Sequence, residues 1–342
     1  MPDSIADRIA KNTADSITVS VAEKLSVLPF ISGIVLGGSR ARGTHKEDSD
    51  IDIGIYYDPE SFDLSAINSL ASELDDEHRS GLVVPPGGWG DWVNAGGWLF
   101  ICGHHVDLIL RDIKRVEMIM EETERGIVTA NYQTGHPHRY ISAMYRGELA
   151  ISKILYARDE SFRELKKRAE TYPAALRKSL TDFFMFEAGF SLMLARANAG
   201  SDDRYYVAGH IFRAVSCMNQ VLFAINDTYC INEKKAVRMI ETFEHRPEGY
   251  TQKVNRIFEE LGVSPNKCCD RAESLYDIRH IQVADRARVL DLACGKGAVS
   301  VKLAAGLGCK IKGIDIIPEF IDFAVQKAQE YGVAELCEFA GE

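Results

Sequence analysis

The sequence predicts an α/β (α+β) chain in three parts: a domain with a small mixed sheet (1–126), an all-α helical bundle (127–283) and an incomplete βαβα tail (284–342). Three observations predict it. Up to about residue 110, strand-length apolar runs alternate with helical periodicity. From about residue 112 to 262 the apolar spacing becomes almost wholly helical, the pattern of four or five packed helices. From Arg288 the period switches again, giving two strands, two helices and the start of a third strand.

The elements follow in order. Residues 4–27 read as a helix, with Ile5, Ile9, Ile17, Val21 and Leu25 near helical spacing. Ile31–Leu36 is a short buried strand ended by Gly37 and Gly38. Ile51–Tyr57 alternates Asp with Ile, so it has one apolar face and one polar face, and Pro59 closes it. Residues 62–78 look helical, and Leu82–Val84 is a short apolar piece. Trp98–Cys102 and His105–Leu110 suit a hairpin around Gly103 and His104. Residues 160–199 and 205–226 read as long helices, with Ser201, Asp202 and Asp203 suited to a helix cap. A turn near Val263–Asn266 precedes a helix to about Arg279. In the tail, Val289–Leu292 and Ile311–Ile314 are strands, 298–306 and 318–331 helices, and Leu336–Phe339 begins a third strand.

Composition narrows the function classes. The chain has 342 residues, 46% hydrophobic and 26% charged, which excludes disordered and fibrous classes. No apolar run approaches the ~20 residues of a bilayer span, and the N-terminus lacks a hydrophobic signal core. Eight cysteines without a CxxC pair suit reduced thiols, so a cytoplasmic protein is expected. Residues 1–150 hold 13 Lys and Arg against 23 Asp and Glu, the whole of the net charge of −10. Duplex nucleic acid needs a basic face, so that partner is not expected, and neither is a membrane. An acidic first domain suits divalent cations and a cationic small substrate. Nothing in the sequence indicates an oligomeric state.

The sharpest pattern is Gly37-Gly38-Ser39-Arg40-Ala41-Arg42-Gly43-Thr44 followed by Asp50-Ile51-Asp52. Glycines let backbone N–H groups approach phosphate oxygens, Ser39 adds a donor, and a following helix would aim its positive end at the same anion. Asp50 and Asp52, two apart on a strand, share a face. Asp107 on a later strand supplies a third carboxylate. Such a set suits Mg²⁺, and three acids around two ions can activate an attacking oxygen and stabilise leaving pyrophosphate.

This array resembles the polymerase-β-like nucleotidyltransferase superfamily, whose signature is Gly-[Gly/Ser]-Ser, a spacer of about ten, then Asp-x-Asp. The stretches Gly88-Trp89-Gly90-Asp91-Trp92, Gly96-Gly97-Trp98, VDLILRD, TGHPHRY, YRGELAISKIL and Ile231-Asn232-Glu233-Lys234 are similar to antibiotic-modifying members, the kanamycin, streptomycin and lincosamide nucleotidyltransferases. The likeness covers roughly residues 18–262. It implies two Mg²⁺ ions on Asp50, Asp52 and Asp107, and a triphosphate on Gly38 and Ser39 with Arg42 and Lys153 beside it. It also implies Glu148 as general base on an acceptor lying between first domain and bundle. ATP is the expected donor of AMP, and the acceptor a small hydroxylated, aminoglycoside-like or lincosamide-like compound. Arg40 also flanks the phosphate loop. His136-Pro137-His138 lacks a third ligand in sequence and reads as a loop, not a zinc site. Trp89, Trp92 and Trp98 suit either an acceptor wall or packing under a long loop. A protein or tRNA target is the alternative within this fold.

Val289-Leu290-Asp291-Leu292-Ala293-Cys294-Gly295-Lys296-Gly297, with Gly313-Ile314-Asp315 about 20 residues on, resembles the opening of Rossmann-type S-adenosylmethionine (SAM) methyltransferases. The resemblance implies SAM contacts at Asp291, Gly295, Gly297 and Asp315. The segment is a partial one, so SAM binding is expected to be weak or absent. A truncated methyltransferase carrying an accessory first domain is the rival from another class.

Overall fold

A computed structural model describes residues 5–276 and 288–341; the expected end of the bundle helix near Arg279 and the 283/284 boundary lie outside the described residues. The fold is mixed α/β with a small mixed sheet and an α-rich remainder, as the sequence predicts. Two compact units divide it: Met1–Arg177 with Thr228–Glu233, and Lys178–Asp227 with Lys234–Glu342.

The first unit runs α1 (Ile5–Ser26), β1 (Ile31–Leu36), α2 (Gly38–Ala41), β2 (Ile51–Tyr57), α3 (Leu64–Leu74), β3 (Ala95–Ile101), β4 (His104–Asp112) and α4 (Ile113–Glu124). It continues through β5 (Ala130–Asn131), β6 (Tyr140–Ile141), α5 (Met144–Ile151), β7 (Lys153–Ala157) and α6 (Glu160–Glu170). The five-stranded sheet has the order β3-β4-β2-β1-β7, with β2 and β4 parallel and the remaining pairs antiparallel. Strand alternation explains its two faces. Ile51, Ile53, Ile55, Val106, Leu108 and Leu110 are fully buried in one core with Ala14, Ile17, Val21 and Leu25 of α1 and Ile67 and Ala71 of α3. Each such side chain contributes about 1.5–3 kcal/mol by burial, so Ile53→Ala would cost roughly 2–5 kcal/mol. The residues between them face the other way and carry the polar chemistry. The Ile5 and Ile9 side chains lie outside the described residues.

Caps set several boundaries. Asp63, Asp112 and Asp159 accept backbone N–H groups at the starts of α3, α4 and α6. The expected 62–78 helix stops at Leu74, because Asp75 turns away to accept from Arg79 and from the Phe100 N–H. The expectation of almost wholly helical chain after residue 112 is corrected: β5 and β6 form a small ribbon, and β7 joins the main sheet beside β1. Lys153-Ile154-Leu155-Tyr156-Ala157 is a β-prone run, and pairing with β1 overrides the surrounding helical pattern. The expected 160–199 helix is two, because Pro173 cannot continue α6.

In the second unit α7 (Ala174–Asn198, its first turn in the first unit), α8 (Arg204–Ile225), α9 (Ala236–Ile240), α10 (Tyr250–Leu261) and α11 (Pro265–Tyr276) are the helical part. Asp203 caps α8 by accepting from the Tyr206 N–H. The tail follows as β8 (Arg288–Leu292), α12 (Ala298–Leu307), β9 (Lys310–Ile314), α13 (Pro318–Glu330) and β10 (Cys337–Ala340), the strands forming a parallel sheet ordered β10-β9-β8. Its small core gathers Val301, Leu303, Ala304, Cys309, Ile311, Ala328 and Val333, while Leu290 and Leu292 of β8 stay exposed. No disulfide links the cysteines. Among the described residues no helix is long and apolar enough to cross a membrane.

Candidate functional site

The polar face of the first sheet is built row by row. Asp52 on β2 lies directly opposite Asp107 on β4, and Asp107 directly opposite Trp98 on β3. Opposed residues share a face with neighbouring strands ~4.8 Å apart, so two carboxylates and an indole stand side by side. Asp50 is not on the strand with Asp52, as the alternation suggested, but one residue before its start. It is nonetheless close enough to act on both partners. The Asp52 carboxyl is raised by burial first and then by Asp50, with Arg40 and Arg42 working against them. Burial, then Asp52 and Asp50, push the Asp107 carboxyl up to about 6, with His105 opposing.

The glycine loop seats itself on the same acids. The Gly37 N–H donates to the Asp52 carbonyl at 2.8 Å. Gly38 has φ +57°, and a Cβ there would sit 1.8 Å from Asp52 Oδ2, so only glycine lets the loop pass this carboxylate. The helix expected to aim its dipole at a phosphate is a single turn, α2, too short for that effect. What remains is the loop's own backbone and the Ser39 side chain. Arg40 is buried and donates to the carbonyls of Ser49 and Asp50, so it ties the loop to the acid strand. Burial lowers the Arg42 pKa most, while Cys230 and then Asp52 act to raise it. Lys153, expected on a helix, is the exposed first residue of β7 and pairs with Leu36, next to Gly37.

Glu148 on α5 is gripped by Arg111 of β4, Nε to Oε2 at 2.8 Å and Nη2 to Oε1 at 2.9 Å. Arg111 pairs with Tyr56 on the same sheet face as Asp107, four residues further along β4 or about 13 Å of strand. The sequence offered no signal for this pair, because its members lie 37 residues apart. The tryptophans part company. Trp92 packs on Tyr140 and under Arg115, whose guanidinium lies 4.2 Å from its ring. Trp89 stacks on Trp98 with ring centroids 4.7 Å apart. The loop holding Trp89 and Trp92 is pinned by Gln133, which donates to the Trp89 carbonyl and accepts from the Trp92 and Val93 N–H groups. In the His-Pro-His loop, His136 Nδ1 lies 2.9 Å from Glu233, which also accepts from the His138 and Arg139 N–H groups.

In the tail, Asp315 at the end of β9 accepts from the Gly295 N–H at 2.8 Å and the Ile317 N–H at 3.0 Å. Asp291 accepts from Ser300 Oγ at 2.5 Å. Gly295 and Gly297 have φ of +54° and +68°, and a Cβ on Gly297 would lie 2.5 Å from Ala324 Cβ.

Residues 20–129 match the family model of the nucleotidyltransferase domain. The chain carries a nucleotidyltransferase domain. A second match, to a methyltransferase domain, covers residues 284–340 beyond it. No curated protein matches the chain. Among solved structures, an RNA methyltransferase from Salinibacter ruber in complex with S-adenosyl-L-homocysteine is 34% identical over 16% of this chain and 36% of that one, with a TM-score of 0.16. A SAM-dependent methyltransferase from Geobacter sulfurreducens, also in complex with S-adenosyl-L-homocysteine, is 36% identical over 16% of this chain and 22% of that one, at a TM-score of 0.16. This chain therefore spans about a third or less of their lengths. A nucleotidyltransferase-like protein from Exiguobacterium sibiricum is 10% identical, over 85% of this chain and 76% of that one, with a TM-score of 0.40. The expectation of weak or absent SAM binding by the tail finds no support in the methyltransferase-domain match.

Proposed function

We propose that the nucleotidyltransferase domain moves a nucleoside monophosphate, AMP from ATP, onto a hydroxyl of a small acceptor of the aminoglycoside or lincosamide kind, using divalent cations. The observation that carries this reading is the Asp52–Asp107 row with Gly38 pressed against Asp52. The donor set fits Mg²⁺: the groups that raise Asp52 and Asp107, after burial, are other carboxylates, and oxygen-only clusters of this kind are relieved by a hard cation. Asp50, Asp52 and Asp107 would hold two such ions, which supply charge to the transferring phosphoryl group and the departing pyrophosphate.

The chain's own residues do the rest. Gly38 and Ser39 bind the β- and γ-phosphates, with Arg42 and Lys153 beside them. The acceptor oxygen attacks the α-phosphorus as its bond to the bridging oxygen breaks, and pyrophosphate leaves toward the glycine loop. The hydroxyl proton goes to a carboxylate. Glu148 is the first choice, and the Arg111 fork engages both of its carboxylate oxygens. Asp107 is the competitor, standing next to the attack site. Labelled nucleoside triphosphates, Mg²⁺ and a panel of aminoglycosides and lincosamides test the reading: labelled product with stoichiometric pyrophosphate supports it, and transfer to tRNA or protein alone would replace the acceptor.

The methyltransferase match of residues 284–340 favours a second reading for the tail alone, SAM contact at Asp291, Gly295, Gly297 and Asp315. Calorimetric titration with SAM decides it.

A further inference from the structure

The row Asp52–Asp107–Trp98 has a direction. The glycine loop lies on the β1 side of Asp52, and Trp98 lies on the far side of Asp107, at β3. In-line displacement puts the attacking oxygen opposite the leaving pyrophosphate. With pyrophosphate over the loop, the acceptor stands over β4 and β3. Trp98 is 62% exposed there, an unusual state for an indole set in a strand. It is also packed on one side. Trp89 stacks on it, and Trp89 lies where a Cβ on Gly96 would come within 2.1 Å of its ring. Gly96 opposes Ile109, so the row behind Asp107 and Trp98 is apolar, with the Trp89 ring lying on Gly96.

We propose that the Trp89–Trp98 stack is the acceptor platform, binding a saccharide or aminocyclitol ring by its C–H face. A ring on the Trp98 indole reaches Asp107, one strand or ~4.8 Å away, with an edge hydroxyl. Trp98 is then a specificity-determining residue, and it acts on the acceptor and not on the nucleotide. The proposal rests on the nucleotidyl-transfer reading above.

The test separates the two. The full chain with Mg²⁺ is titrated calorimetrically with α,β-methylene-ATP, then, at saturation, with kanamycin, streptomycin and lincomycin, for wild type, Trp98→Ala and Trp98→Phe. The expected result is that at least one ring compound binds, that Trp98→Ala weakens it tenfold or more, and that Trp98→Phe stays within about threefold. The affinity for the nucleotide analogue stays unchanged in both variants. The proposal is overturned if no ring compound binds wild type, if Trp98→Ala binds them equally well, or if Trp98→Ala instead weakens the analogue, which would make the stack a nucleobase site. Absence of analogue binding to wild type would sink the transfer reading itself, whatever the ring compounds do.

Discussion

Two strand-end acids, Asp52 and Asp315, each stand beside a glycine turn, and they are treated in opposite ways. Asp315 is buried and accepts two backbone N–H groups, one from the turn itself, while Asp291 before that turn accepts from Ser300. The tail's acids are partnered within the fold. In the nucleotidyltransferase domain Gly38 leaves room for the Asp52 carboxylate, and burial plus the neighbouring Asp50 carboxylate disfavour its charge. One arrangement uses the acid to brace the turn. The other keeps the acids together and in mutual repulsion, which is the electrostatic condition for taking up a cation. The same glycine-plus-acid pattern in sequence therefore carries different chemistry, decided by what the carboxylate faces.

The largest effects should come from the repelling cluster. Asp52→Asn and Asp107→Asn are expected to keep the fold by circular dichroism and to lower nucleotidyl transfer by well over tenfold, several kcal/mol of transition-state stabilisation. Asp315→Asn in the tail should leave that rate unchanged. Retention of more than about a tenth of the rate by either Asn variant at Asp52 or Asp107 would erase the distinction.

Next is Asp75, a buried acid of the bracing type inside the nucleotidyltransferase domain. It accepts from Arg79 at 2.6 Å and from the Phe100 N–H at 2.9 Å. Asp75→Ala should destabilise by about 1–3 kcal/mol, since the Phe100 N–H loses its acceptor while the half-exposed Arg79 returns to water. Hydrogen bonding from Arg79 holds its carboxyl well below the usual carboxylate range. A depressed carboxyl contributes its stability above the unfolded value near ~4 and loses it as pH falls. Chemical denaturation between pH 7 and 3 should show wild type losing this contribution, and Asp75→Ala lacking it.

Smaller effects refine the site. Glu148→Gln should lower turnover while leaving nucleotide affinity near wild type; an unchanged turnover would pass the base role to Asp107. Lys153→Ala should raise the KM for the nucleotide by a few fold, read from initial rates, because its strand starts beside the glycine loop. Removing residues from 284 onward should change transfer least of all.

Much of this was legible because strands and acids write themselves locally. Ile31–Leu36 and Ile51–Tyr57 have the bounds their patterns indicate, since an apolar run stopped by Gly37 and Gly38 and an alternating run closed before Pro59 are both local signals. β7 was hidden, because an edge strand of five residues inside helical sequence is stabilised by β1, over a hundred positions away. The Arg111–Glu148 pair and the Asp75–Phe100 contact were hidden for the same reason: their members lie 37 and 25 residues apart. The three tryptophans were visible as unusual, but only register separates Trp98, beside Asp107, from Trp92, packed under Arg115.

The central claim is that Asp52 and Asp107 form a cation-dependent nucleotide site. Calorimetric titration of the full chain with α,β-methylene-ATP, with Mg²⁺ and with chelator, compares wild type with the Asp52→Asn/Asp107→Asn pair. The account predicts binding to wild type only with Mg²⁺ and its loss in the double variant. Equal binding by both proteins, or binding that ignores the chelator, would contradict it.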